Sequence, residues 1–199
     1  MSNKKSYNFF AYMSRMKLIR RWGLMKPTTD ENIAEHSAQV AQIAHAIALI
    51  KNKKFGGELD VNKIATIALY HETSEVLTGD LPTPIKYYNS AIRNSYKDIE
   101  HTANQKLLSM LPEEFREDYE KIVEIDTDSY EYKIVKAADK IAAYVKAVEE
   151  MQNGNREFAM AEKTLKKEVE ECAEKMPELA LFCEYYLDSF KKTLDELEE

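Results

Sequence analysis

No stretch of this sequence alternates apolar and polar residues with the two-residue period of a half-buried strand, and that absence constrains the fold more than any other feature. Apolar positions recur instead at spacings of three and four, which gathers them on one side of a helix. Five glycines and five prolines among 199 residues are too few turn formers for an all-β chain. The length suits one domain with its own core, since domains run to about 100–200 residues, and no Pro/Gly/Ser-rich linker or internal repeat divides it. The expectation is a single all-α domain over residues 1–199, a bundle of seven or so helices.

The periodicity places a first helix over 6–21, with Phe9, Phe10, Met13, Met16 and Leu18 near one face and Trp22-Gly23 ending it. A second follows the loop Pro27-Thr28-Thr29-Asp30 and runs to about Ile50, with Val40, Ile43, Ala44, Ile47 and Ile50 inward. Either Thr28-x-x-Glu31 or Asn32-x-x-Glu35 is its capping box. Asp60 caps a third helix carrying Ile64, Ile67, Ala68 and His71, which the Thr78-Gly79-Asp80 turn stops. Further helices are expected over 90–110, after Pro112, over 130–152, over 155–175 and after Pro177.

A formal net charge of −7 argues against a nucleic-acid binder, because backbone phosphates must be neutralised by Lys and Arg. The charge is uneven, however. Residues 1–29 hold Lys4, Lys5, Arg15, Lys17, Arg20, Arg21 and Lys26 and no acid, which suits either a small anionic ligand or a merely solvated basic face. Cys172 and Cys183 form no CxxC pattern and are expected to be reduced thiols. MSNKKSYNFF lacks the apolar core of about 7–15 residues that a signal peptide needs, and no apolar run approaches the roughly 18 residues of a membrane span. The expected location is the cytoplasm, with no membrane partner.

His36 shares a helix side with Val40, Ile43 and Ile47, and His71 shares one with Ile64, Ile67 and Ala68, so both imidazoles point inward. Glu72 lies beside His71, and Asp139 stands in KAADKIAAY between inward alanines. Each histidine alone is more often a satisfied core group than a ligand. A buried carboxylate, though, is costly unless a cation or metal pairs with it. Two inward histidines and two inward carboxylates on three helices can hold one divalent cation, and imidazole with carboxylate suits Mn, Fe, Co, Ni or Zn better than Mg or Ca.

The order His, then an adjacent His-acid pair, then a distant Asp resembles the HD-domain superfamily of metal-dependent phosphohydrolases. FFAYMSRMKLIRRW, ENIAEHSAQVAQIAHAIALIKNKKFGG, ALYHETSEVLTGDLPTPIKY and IVKAADKIAAYVKAVEE more narrowly resemble the bacterial 5′-deoxynucleotidases of the YfbR type, most strongly over 6–160. The resemblance implies an HD-domain helical bundle, a cytoplasmic homodimer that uses a divalent cation such as cobalt or manganese to remove phosphate from deoxyribonucleoside 5′-monophosphates. It also implies metal ligation by His36, His71 and Asp139, with Glu72 standing where the family's pair has Asp. The substrate contacts it implies are Arg21, Trp22, His36, Glu72, Asp80, Leu81, Pro82, Thr83 and Asp139, and the catalytic groups Arg21 and Asp80; Glu75, one helical turn from His71 and on the same side, is read from its spacing as a third catalytic group or else as a partner of a histidine N–H. A guanidinium forks two phosphate oxygens and an indole offers a flat wall to the sugar or base. The extra methylene of Glu72 moves its carboxylate by about 1.5 Å or demands another rotamer, against a catalytic tolerance of ~0.5 Å, so a weakened nucleotide-binding protein is the alternative.

Overall fold

The computed structural model describes residues 6–86 and 88–198; Lys4 and Lys5 of the basic segment lie outside the described residues. Its helices are α1 (Phe9–Met13), α2 (Ile33–Lys54), α3 (Val61–Tyr70), α4 (Glu75–Thr78), α5 (Thr83–Lys86), α6 (Ser90–Leu108), α7 (Glu113–Val123), α8 (Tyr130–Gln152), α9 (Ala159–Ala173), α10 (Pro177–Tyr186) and α11 (Leu194–Leu197). Three short 3₁₀ turns, Met16–Leu18, Arg156–Phe158 and Leu187–Lys191, join them. Among the described residues there is no strand, only an isolated antiparallel bridge between Arg20 and Asn32. The fold is all-α, as the periodicity requires.

α2 is the central helix, packed on α3, α8 and α10. Its start is fixed by the second of the two candidate capping boxes: Asn32 accepts from the amides of Ala34 and Glu35 at 3.0 and 3.1 Å, and Glu35 returns to the Asn32 amide at 3.4 Å. One turn further in, His36 is fully buried with Val40, Ala44 and Ile47 behind it. α8 presents Ile134, Ala138, Ile141, Ala142 and Val145 to the same core, and its small residues let α2 come close. Each fully buried Ile contributes about 1.5–3 kcal/mol of transfer free energy. A second, smaller core gathers Phe9, Leu107, Leu108 and Leu111 with Tyr70 and Tyr119 around them. The first core packs α2, α3 and α8 together, and the candidate site is built from these helices and the break that follows α3.

Two expectations need correction. The first helix does not span 6–21: α1 ends at Met13, and after the Met16–Leu18 turn the chain extends at Ile19. The reason lies downstream, because Ile19 and Glu31 offer their carbonyls to the amides of Ile33 and Arg21 at 3.0 and 2.9 Å, closing 20–32 into a loop. Phe9 and Met16 are buried, whereas Phe10 and Leu18 are exposed at 59% and 62% rather than sharing one inward face. The third helix likewise does not continue to Thr78; it ends at Tyr70 with His71 as its cap, and a separate single turn resumes at Glu75. Gly79, at φ 73°, then reverses the chain as the sequence implies.

Candidate metal and phosphate site

Four side chains from three parts of the bundle converge. His36 comes from the first turns of α2, His71 and Glu72 from the break after α3, and Asp139 from the middle of α8. One ligand atom from each lies within 4.8 Å of all the others. The break after Tyr70 makes this possible, because it frees His71 and Glu72 from the helical ladder to turn toward α8 together. Glu72, despite its longer side chain, reaches the cluster.

The histidines are prepared for a cation. His71 Nδ1 lies 2.7 Å from the Ala68 carbonyl, which can only accept, so Nδ1 carries the proton and Nε2 presents a lone pair. That Nε2 is buried and makes no hydrogen bond, although Glu72 Oε1 lies 3.2 Å away. His36 Nε2 lies 2.9 Å from Asp139 Oδ1, and its buried Nδ1 also lacks a hydrogen bond, with Glu31 Oε1 at 3.7 Å. The orphaned Nε2 of His71, together with His36 Nε2 and two carboxylates, fits a divalent transition cation, and the donor set is of the kind that suits Mn, Fe, Co, Ni or Zn.

The electrostatics agree. Burial by itself raises the Asp139 carboxyl, but the ammonium of Lys136 and the hydrogen bond from His36 overcome it and hold that carboxyl well below its ordinary range. Burial also opposes ionisation of Glu72, yet positive charge on the His71 side of the cluster, where a cation would sit, draws its pKa down. Glu75, buried on α4, goes the other way: burial first, then the Glu72 carboxylate and Asp80, push it up to about 10. A bound cation acts on Glu75 in the opposite sense. Asp80 is raised by burial, partly offset by Arg21.

Arg21 and Trp22 lie beside the cluster. Burial would lower the Arg21 pKa, but Asp139, Glu31, Glu72 and Asp80 outweigh it and keep the guanidinium charged. Its Nη1 stands 3.9 Å from Glu72. Trp22 adopts φ 61°, the one non-glycine residue in the left-handed region among those described, a strained conformation that surrounding contacts must hold. Its indole packs on Phe158 at 5.2 Å between ring centres.

Of the expected site residues, the structure brings together Arg21, Trp22, His36, His71, Glu72, Glu75, Asp80 and Asp139. It does not show the same for the rest of the substrate loop. Leu81 lines an apolar cleft with Leu77, Ile92 and Tyr96, the Pro82 carbonyl accepts from the amides of Ile85 and Lys86, and Thr83 is exposed at the start of α5. Three groups were not legible in the sequence. Glu31, noticed only as a capping candidate, accepts from Trp22 Nε1 at 2.8 Å and Arg21 Nε at 3.2 Å through one oxygen and faces His36 with the other. Lys136, one turn before Asp139, is ion-paired to it. Lys86, 2.8 Å from Glu100, adds positive charge near Glu75 and Asp80. The spacing of Lys136 to Asp139 is the one signal that a search for paired charges would have found.

A helical bundle with this His, His-acid and Asp cluster at its centre defines the HD-domain class. In fold the chain matches an HD-domain phosphohydrolase from Listeria innocua at a TM-score of 0.79, with 24% identity over 92% of this chain and 88% of that one. It also matches the HD phosphohydrolase of cyanophage S-2L, solved with dA and one catalytic zinc ion, at 0.65, with 18% identity over 92% and 96% of the two chains. Within that class the family model for YfbR-like 5′-deoxynucleotidases matches residues 8–190. A 5′-deoxynucleotidase of Vibrio vulnificus is 53% identical over 191 residues, 96% of this chain and 97% of that protein. The chain belongs to the YfbR-like 5′-deoxynucleotidase family.

Proposed function

We propose that this chain is a metal-dependent 5′-deoxynucleotidase that hydrolyses deoxyribonucleoside 5′-monophosphates to deoxynucleosides and phosphate. The observation that carries the reading is the convergence of His36, His71, Glu72 and Asp139 within 4.8 Å, with the Arg21 guanidinium 3.9 Å from Glu72. A divalent cation, cobalt or manganese by preference, supplies Lewis-acid charge against the phosphoryl group and lowers the pKa of water when these four residues hold it. Arg21 takes the remaining phosphoryl oxygens in its fork and offsets the charge that develops on them. Trp22 forms the wall against the deoxyribose. Glu75 and Asp80 manage protons: one carboxylate accepts the proton of the water that attacks phosphorus in line. As the P–O5′ bond breaks, a carboxylic acid returns a proton to the departing 5′-oxygen. Asp80 is also suited to bind the sugar 3′-hydroxyl.

Selectivity against ribonucleotides follows in this reading from close packing of Trp22 and the 80–83 loop around C2′, where a hydroxyl would be desolvated without a partner. No described helix is long and apolar enough to cross a membrane, and the proposed setting is the cytoplasm, as a homodimer. Glu72 motivates a second reading, a nucleotide-binding protein with a weakened metal centre; the proximity of its carboxylate to the other ligands favours the enzyme. Metal-depleted protein incubated with dAMP, with and without added cobalt, tests the choice. Metal-dependent appearance of deoxyadenosine and phosphate supports the enzyme, and binding of dAMP without turnover at any metal supports the alternative.

A further inference from the structure

α8 carries a second polar device on the stripe that bears Asp139. Lys146 and Glu150 follow Asp139 by seven and eleven residues, two and three helical turns, and so lie on the same side of the helix at about 10 and 16 Å along it. Glu150 is fully buried, yet neither it nor Lys146 touches the metal cluster. Both are used up by the segment that follows Trp22. Glu150 Oε2 accepts from the Thr28 amide at 2.7 Å, the Thr28 hydroxyl at 2.8 Å and Asn155 Nδ2 at 2.9 Å. Its Oε1 accepts from Lys146 Nζ at 2.6 Å and the Thr29 amide at 3.2 Å. Lys146 also donates to the Thr29 carbonyl at 2.7 Å, and Asn155 to the Lys26 carbonyl at 2.8 Å. Phe158, under the Trp22 indole, belongs to the same connection after α8.

An ion pair at this depth is costly to desolvate, and apolar packing often replaces one without loss of stability. What apolar packing cannot do is hold the backbone amides of an irregular segment. This segment begins at Trp22, whose left-handed backbone requires support from its surroundings. Its anchor is the helix that also positions Asp139, so α8 acts as a ruler between the metal cluster and the segment bearing the substrate contacts.

Resting on the activity proposed above, we infer that Glu150, together with Lys146, is a positioning residue for substrate binding, which holds residues 22–29 against α8 so that Arg21 and Trp22 stand at a set distance from the metal ligands.

The test compares Glu150→Gln with Glu178→Gln. Glu178 is equally buried, and it bonds Tyr130 and Lys51 away from this segment. Glu150→Gln turns an amide NH₂ toward N–H donors, which thereby lose their acceptor. The expected result is a rise in KM, and in the dissociation constant for dAMP, of about ten- to hundred-fold, the equivalent of one charge-assisted hydrogen bond. The kcat and the cobalt affinity should stay near wild type. Glu178→Gln should lower the melting temperature without moving KM. If Glu150→Gln does not fold, Thr28→Val removes one bond to the same carboxylate from an exposed residue, and it should raise KM in the same direction by less. A KM unchanged in Thr28→Val and Glu150→Gln, or a cobalt affinity that falls with KM, would overturn the inference. Measuring dAMP binding beside turnover separates the two claims: a wild type that binds but does not cleave refutes the activity while still testing the clamp, and one that does neither removes both.

Discussion

Glu31→Gln is the substitution in which the geometry makes the sharpest demand. One oxygen of Glu31 accepts from both Trp22 and Arg21, and the other faces His36 Nδ1 at 3.7 Å. Glutamine has a single oxygen to divide between these tasks. If it stays with Trp22 and Arg21, the NH₂ group points at His36 Nδ1 and favours the tautomer with its proton on Nε2, the nitrogen that faces Asp139 and must offer a lone pair to a cation. If it turns to His36, the NH₂ group confronts two donors. Loss of an outer partner of a ligating histidine weakens metal binding by about 10–100-fold, or roughly 1.4–2.7 kcal/mol. A lost hydrogen bond to a charged group costs about 1.5–3 kcal/mol where Arg21 and Trp22 meet substrate. Both deficits should therefore appear in one variant, unlike the Glu150 substitutions. Cobalt titration against a competing chelator, read by the ligand-field absorbance of the ion, measures the first, and KM for dAMP at saturating cobalt measures the second. Wild-type cobalt affinity in a folded Glu31→Gln protein would refute the argument that Glu31 orients His36.

Four other expectations follow from the same contacts. Glu72→Gln should bind cobalt at least about tenfold more weakly, since a ligating charge is lost, whereas Glu72→Asp should retain phosphate release, and a reversed order would show that Glu72 is no ligand. Saturating cobalt, at about 100 times its dissociation constant, should stabilise the metal-free protein by roughly 2.7 kcal/mol, a calorimetric shift of about 5–11 °C for a chain of this size. Burial would raise the Glu150 carboxyl, but Lys146, the Thr28 amide and hydroxyl, and Asn155 lower it to about 2. A depressed carboxyl stabilises the fold above its ordinary value near 4.5 and loses that contribution as pH falls toward 2, so acid unfolding of Glu150→Gln should lack that part of the wild-type pH dependence. Trp22→Ala should raise KM for dAMP and narrow the preference for deoxyribose, and an unchanged preference would place the selectivity elsewhere.

The sequence disclosed what helical periodicity can carry. The buried faces of α2 and α8 and the inward direction of His36 and Asp139 follow from spacings of three and four, the Asp60 cap follows from its residue type, and the start of α2 is narrowed to two capping boxes, of which the fold uses Asn32. The breaks were hidden because distant partners cause them. Nothing within 6–21 announces that Ile19 and Arg21 will pair with a strand-like return at Glu31 and Ile33, and a helix continuing through His71 has the same apolar pattern as one that stops there. Glu31 looked like half of a capping box and Glu150 carried no signal of its own, since the groups that define them, Trp22 and Thr28 among them, lie across loops or more than a hundred residues away. Glu72 is the instructive middle case: its identity raised the question of reach, and only the non-helical turn after Tyr70 answers it.

The central claim is that four ligands and an anchored arginine make a metal-dependent enzyme selective for deoxyribonucleotides. Its most direct test is phosphate release by the purified wild-type protein from dAMP and AMP side by side, after metal removal and again with cobalt or manganese restored. The account predicts release from dAMP alone and only with metal; equal release from both nucleotides, or release that persists without metal, would contradict it.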